Sequence, residues 1–193
     1  MTQSMLVTIE GGRTVPMPDA NLDIRSVLLQ RNPQSRARTM IAEFPPGFDR
    51  PVPGHYAAGE EILLLRGMLT VGSLDLREGD WAWIPPGVLR ARFSTVTGAV
   101  AFAWFSAGND WVRGGNVLAG SRQEPVGWAA DALPRPLRSS GSADGPGFSA
   151  VLGRGTPVSG PAELVDLGTR CWRALKVGDS VTVQSSTFVR WAS

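Results

Sequence analysis

The sequence predicts an all-β domain built as one small antiparallel barrel, and two observations carry that reading. From Leu22 to Phe105, short apolar runs are broken at brief intervals, which is the pattern of a sandwich or barrel and not of helices. The breaks fall at Pro45-Pro46-Gly47, Gly67, Gly72, Gly79-Asp80 and Pro85-Pro86-Gly87, residues that set turn dihedrals and interrupt sheet ladders. Strands are predicted near Leu22 to Leu29, Arg38 to Phe44, Glu61 to Leu65, Leu69 to Val71, Trp81 to Ile84, Arg90 to Ser94 and Val100 to Phe105. The chain's 193 residues suit one core better than two.

Beyond Phe105 the composition shifts. Gly114-Gly115, Pro134, Pro136, Ser139-Ser140-Gly141-Ser142 and Gly145-Pro146-Gly147 mark a stretch expected to be mostly irregular. Apolar alternation returns at Cys171 to Leu175, Val181 to Val183 and Thr187 to Trp191, with Val177-Gly178-Asp179 as a predicted hairpin turn. The expected organisation is therefore a barrel with its N-terminal strands over residues 1–105, a wrapping or linking segment over 106–160, and C-terminal strands over 161–193. These last strands are expected to pack on the barrel or in an oligomer interface. Extension of the barrel is preferred to a truncated second half, because the tail holds no second copy of the motifs below.

Composition narrows the function. Hydrophobic residues are 42% and charged residues 19% of the chain, a globular balance, and no apolar run approaches the roughly 20 residues that cross a bilayer. The start, Met1-Thr2-Gln3-Ser4, has no basic region leading into an apolar stretch, so residence in the cytoplasm without a membrane is expected. Cys171, the single cysteine, has no second thiol for a disulfide or a zinc site and reads as a small hydrophobe. The net charge is only +2, and the arginines alternate with acids without a dense basic stripe, so nucleic acid is not an expected partner. Of the 19 basic residues only Lys176 is a lysine.

Two glycine-bounded strings carry the chemistry. The first runs from Gly47 to Gly67, with His55-Tyr56 and Glu60-Glu61 between its ends. It resembles the first motif of the cupin superfamily: a glycine, five residues, His-x-His, three or four residues, a glutamate, six residues and a glycine. The second, Gly79-Asp80-Trp81-Ala82-Trp83-Ile84-Pro85-Pro86-Gly87-Val88-Leu89-Arg90, resembles the second motif, a glycine, five residues, Pro-x-Gly, two residues and a histidine, with Arg90 in place of the histidine. Met68 to Glu78 would be the hairpin between them. The Glu-Glu-x-x-Leu-Leu-x-Gly string is also similar to anti-sigma-factor-type and acetylacetone-dioxygenase-like cupins. The resemblance implies a cupin-type jelly-roll barrel over Leu22 to Phe105, with a small-molecule pocket in its mouth.

In metal-bearing cupins the two motifs deliver three imidazoles and one carboxylate to a divalent ion. With four residues before the glutamate, those positions fall here on Pro53, His55, Glu60 and Arg90. With three, His55 lies between ligand positions, which become Gly54 and Tyr56. His55 is the only histidine, and the Arg90 guanidinium has no lone pair to give a metal. A metal-free site is therefore expected. The alternative is iron, manganese, nickel or zinc held by His55 and Glu60, with Glu61 or Asp49.

The expected catalytic set is His55 as general base or acid, Glu60 as its orienting partner, Arg90 as charge stabiliser and Tyr56 as a proton donor. Strand alternation turns Glu60 inward and leaves Glu61 solvated. Arg92, Trp81, Trp83 and Asp49 are candidate substrate contacts: Arg92 would share a face with Arg90 as an anion clamp, while for the tryptophans core packing or an oligomer interface is preferred to ligand stacking. The expected reaction is proton transfer next to a carbonyl, as isomerisation, cyclisation or elimination in metabolite biosynthesis, on a small anionic or carbonyl-bearing substrate. The alternatives are a mononuclear metal-dependent oxygenase and a non-catalytic small-molecule sensor or binding protein. Seven tryptophans and a long irregular tail further suggest a homodimer.

Overall fold

The computed structural model describes residues 5–6, 8–115, 121–127, 134–138 and 148–191. All regular structure among them is β, in antiparallel pairs, and none forms a helix long and apolar enough to cross a membrane. The chain divides into two compact units, Thr8–Pro125 and a second made of Met1–Val7 with Val126–Ser193.

The first unit is organised around one long strand, Glu60–Val71. Its first half lies between Asp80–Ile84 and Ala99–Phe105, and the sheet continues through Arg38–Phe44, Ile24–Arg31 and Arg13–Val15. Its second half pairs with Leu74–Arg77, closing the predicted inter-motif hairpin, and with Phe93–Ser94. The core follows from alternation. Ile62 and Leu64 point inward opposite Ala82, Ala101 and Ala103, and they pack with Phe44, Phe48 and Phe93. The three phenylalanine rings meet edge-on or tilted at 5.1–5.7 Å, a favoured aromatic geometry.

Gly67 is predicted to end a strand, yet the strand runs through it. With φ at +81° the chain turns a corner, matched by a register shift at Val100/Ala101 on the neighbouring strand. A Cβ at Gly67 would lie 2.2 Å from the Gly98 carbonyl oxygen. Gly67→Ala is therefore expected to cost about 1–3 kcal/mol from the backbone conformation alone, with the contact adding to it. Urea denaturation against the wild type measures the loss.

The predicted strand from Arg90 to Ser94 shortens to Phe93–Ser94. Arg90 makes an isolated bridge with Gly54, and the chain bends at Ala91. The barrel unit also extends past residue 105. Trp111–Arg113 pairs with Gly54–Tyr56, and Arg122–Pro125 pairs with Asp80–Ile84.

The second unit carries the additional C-terminal strands that the sequence predicts. Its strands form their own six-stranded sheet: Met5–Leu6, Cys171–Leu175, Ala162–Asp166, Thr187–Trp191, Phe148–Leu152 and Arg135–Arg138 in that order. Pro136 is accommodated because Arg135–Arg138 is an edge strand, where a missing N–H costs no ladder bond. The turn markers over 139–147 lie outside the described residues. Gly178, φ +87°, makes the predicted tight turn, but it joins strands with different partners: Ser180–Thr182 pairs with Pro157–Ser159. Val158, Leu164, Leu175 and Val189 give this unit its own core.

Candidate active site

The barrel unit holds a cavity of about 580 Å³. Its wall is mainly apolar, with Met40, Ala42, Phe44, Phe93, Ala103 and Phe105 among its residues, and Tyr56, Glu60 and Arg50 bring polar atoms to it.

Gly54–Tyr56 sets the register that the sequence leaves open. Gly54 and Tyr56 are buried and His55 between them is half-buried, so Tyr56 faces the cavity and His55 does not line it. The three-residue spacing is thus the structural one, and the motif positions are Gly54, Tyr56, Glu60 and Arg90. His55 Nδ1 lies 2.8 Å from the Gly114 carbonyl oxygen, which ties down the turn at Gly114-Gly115. The residue expected to act as acid or base thus lies off the cavity wall. His55→Ala is expected to cost about 0.5–1.5 kcal/mol, the worth of one hydrogen bond, and to leave ligand binding in the cavity unchanged. Thermal melting and ligand titration of the variant check both.

At the other three positions the side chains engage one another. The Arg90 guanidinium donates from Nη2 to Glu60 Oε2 at 2.6 Å, and both side chains are almost fully buried. Its Cζ lies 4.5 Å from the centre of the Tyr56 ring, a cation–π distance. The other Glu60 oxygen, Oε1, has no hydrogen-bond partner among the described residues. Burial pushes the Glu60 carboxyl above its ordinary value, while Arg90 and, less strongly, Arg50 pull it back. Burial likewise raises the Tyr56 phenol, which keeps it protonated.

These residues do not fit a divalent metal. Position 54 has no side chain, and a Cβ there would meet the Trp111 ring at 2.4 Å. The phenol at 56 is engaged by Arg50, the carboxylate at 60 is held by a guanidinium, and position 90 is that guanidinium. A fixed cation bonded to the one carboxylate opposes a second cation in the same poorly solvated space. Among the described residues no group of three or more His, Cys, Asp or Glu side chains converges as a metal site.

Four other candidates lie away from the cavity wall. Arg92 is exposed, because the bend at Ala91 breaks the alternation that would have put it beside Arg90. Asp49 is exposed and bridges Ser94 through its backbone; its neighbour Arg50 points inward instead. Trp81 and Trp83 are fully buried on the face of Asp80–Ile84 opposite Ala82 and Ile84. Trp81 Nε1 donates to Glu61 Oε1 at 3.1 Å, and Glu61 is buried where solvation was expected.

Arg50, which sequence reasoning missed, is 1% exposed. It donates from Nε to the Pro18 carbonyl oxygen at 2.7 Å and from Nη1 to the Tyr56 hydroxyl at 3.1 Å. Its guanidinium lies 3.7 Å over the Trp111 ring.

No protein-family model matches the chain, and no curated protein matches it significantly. Solved structures do. A dioxygenase candidate from Nostoc punctiforme aligns over 100% of this chain and 82% of its own, at 18% identity and a TM-score of 0.67. A candidate glyoxylate-induced protein from Pseudomonas aeruginosa aligns over 93% of this chain and 84% of its own, at 13% identity and a TM-score of 0.59. The pirin of Escherichia coli, solved with nickel(II), aligns over 97% of both chains at 8% identity and a TM-score of 0.58. At these identities the likeness is one of architecture. The two motifs, the jelly-roll pairing around Glu60–Val71 and these neighbours agree, and the chain has the cupin fold.

Proposed function

We propose that this protein is a small-molecule enzyme that uses the cupin cavity for acid–base chemistry next to a carbonyl, without a resident metal. The observation that carries the reading is the buried Glu60–Arg90 pair at the motif's metal-ligand positions. Arg90 fixes one carboxylate oxygen and leaves Oε1 as the base. A proton on the carbon beside the carbonyl passes to Oε1, and the electron pair moves onto the carbonyl oxygen as an enolate. The protonated Tyr56 hydroxyl stabilises that oxygen by hydrogen bonding. Return of the proton at another carbon gives isomerisation, and loss of a leaving group gives elimination. Arg90 is a positioning residue, since it acts through Glu60.

The test needs no knowledge of the full reaction. Ketones and 2-oxo acids are incubated with the protein in D₂O, and loss of the α-proton signal is followed by NMR. Exchange that depends on Glu60 is the expected result; no exchange above the buffer rate with any compound would remove the reading. A metal-dependent oxygenase is the competing reading, and the Nostoc neighbour is described as a dioxygenase candidate. The donor set at positions 54, 56, 60 and 90 argues against it.

A further inference from the structure

We infer that Arg50 is an anion-binding residue and that the cavity takes a small organic monocarboxylate whose body is apolar. This deepens the proposed function by naming the substrate class, and it rests on that reading only for what happens after binding.

The charge balance at the cavity wall is the starting point. Around Tyr56 lie two buried guanidinium groups, Arg50 and Arg90, and one buried carboxylate, Glu60. Arg90 takes that carboxylate at 2.6 Å. Arg50 is left with only neutral partners: a carbonyl, a phenol and the face of Trp111. Asp19, the carboxylate whose charge Arg50 also influences, is bound by Arg113 and by Trp111 Nε1. Arg50 Nη2 is buried with no hydrogen-bond partner.

A buried cation with no carboxylate bonded to it, and with an unsatisfied donor, is expensive to maintain. Arg50 lines the cavity, and an anion entering there would supply what is missing. Among the fully buried groups around Tyr56 the surplus is one positive charge, which a monoanion matches. The planar guanidinium suits a carboxylate, and the apolar wall around it suits a hydrocarbon or aromatic body. A half-buried arginine, Arg38, also lines the cavity, with its Nε buried and unpartnered.

The experiment is a binding measurement independent of turnover. Benzoate, 3-phenylpropanoate and hexanoate, each beside its primary amide and beside inorganic phosphate, are screened by saturation-transfer NMR and titrated by calorimetry. They are run on the wild type, Arg50→Met, Arg50→Lys and Glu60→Gln. At least one acid is expected to bind ten times or more tighter than its amide and than phosphate. Arg50→Met should abolish that preference, and Arg50→Lys, which keeps the charge but not the planar fork, should weaken binding at least threefold. Glu60→Gln, which releases Arg90 from its carboxylate, should bind the acid at least as tightly as the wild type. Amides binding as well as acids, phosphate binding as well, acids binding the Arg50 variants unchanged, or none of the acids binding would each overturn the inference. If Arg50→Met does not fold, Arg50→Lys decides. Acid binding without proton exchange would sink the enzymatic reading alone. Glu60-dependent exchange on neutral ketones, with no preference for acids, would sink this inference alone.

Discussion

Arg90→Met is expected to lower the stability of the fold by about 3–5 kcal/mol, the cost of stripping one partner from a buried ion pair. The magnitude follows from what remains: the Glu60 carboxylate, less than a tenth exposed, would lose its only hydrogen-bond donor among the described residues. Glu60→Gln/Arg90→Met removes both charges and is expected to recover a large part of the loss, because a buried pair replaced as a unit costs far less than a broken one. Urea denaturation of the two singles and the double gives the coupling. The variants also carry a pH signature. Glu60 holds its proton more tightly in the fold than in the unfolded chain, so the stability it contributes is fully present below its ordinary value of 4.5 and is lost as pH rises through the folded value. Arg90→Met removes the main influence pulling that value down. Its stability deficit should therefore grow as pH rises above the ordinary carboxylate range, whereas the double variant should show no such dependence from this site.

The second large effect is kinetic. Glu60→Gln is nearly isosteric but has no basic oxygen, and it is expected to slow α-proton exchange by about 10²–10⁴-fold, the usual worth of a positioned general base. KM should change little, since the carboxamide fills the same volume. In the wild type the rate should rise with pH through an apparent pKa above the ordinary carboxylate range, because burial raises Glu60 and the base works ionised. Replacement of Tyr56 by phenylalanine should lower the rate without moving that pKa far.

Much of the barrel was legible in the sequence. The spacing from Glu60 to Gly67 and from Gly79 to Arg90 fixed the two motifs, and the inter-motif hairpin fell where expected. The orientation of His55 was not legible, because the first motif admits two spacings that differ by one residue, and a one-residue slip turns every side chain to the other face. The burial of Tyr56 and its pairing with Trp111 decide it. A signal for the tryptophans did exist. With Glu60 inward, Ile62 shares its face, and the cross-strand partners of these two are Ile84 and Ala82, which sends Trp81 and Trp83 the other way. Arg50 carried no such signal: it lies between turn residues, where no strand period applies, and only the fold brings it against Tyr56 and Trp111. The strand Arg135–Arg138 was hidden for a related reason, since an edge strand tolerates a proline that would argue against a central one.

The central claim is that a buried acid–base pair stands where a cupin metal would be held. The most direct test is elemental analysis of the purified protein, before and after loading with iron, manganese, nickel and zinc under reducing conditions and then desalting. No near-stoichiometric retention of any of the four is expected, in the wild type and in Glu60→Gln alike. Near-stoichiometric metal that disappears in Glu60→Gln would contradict the claim.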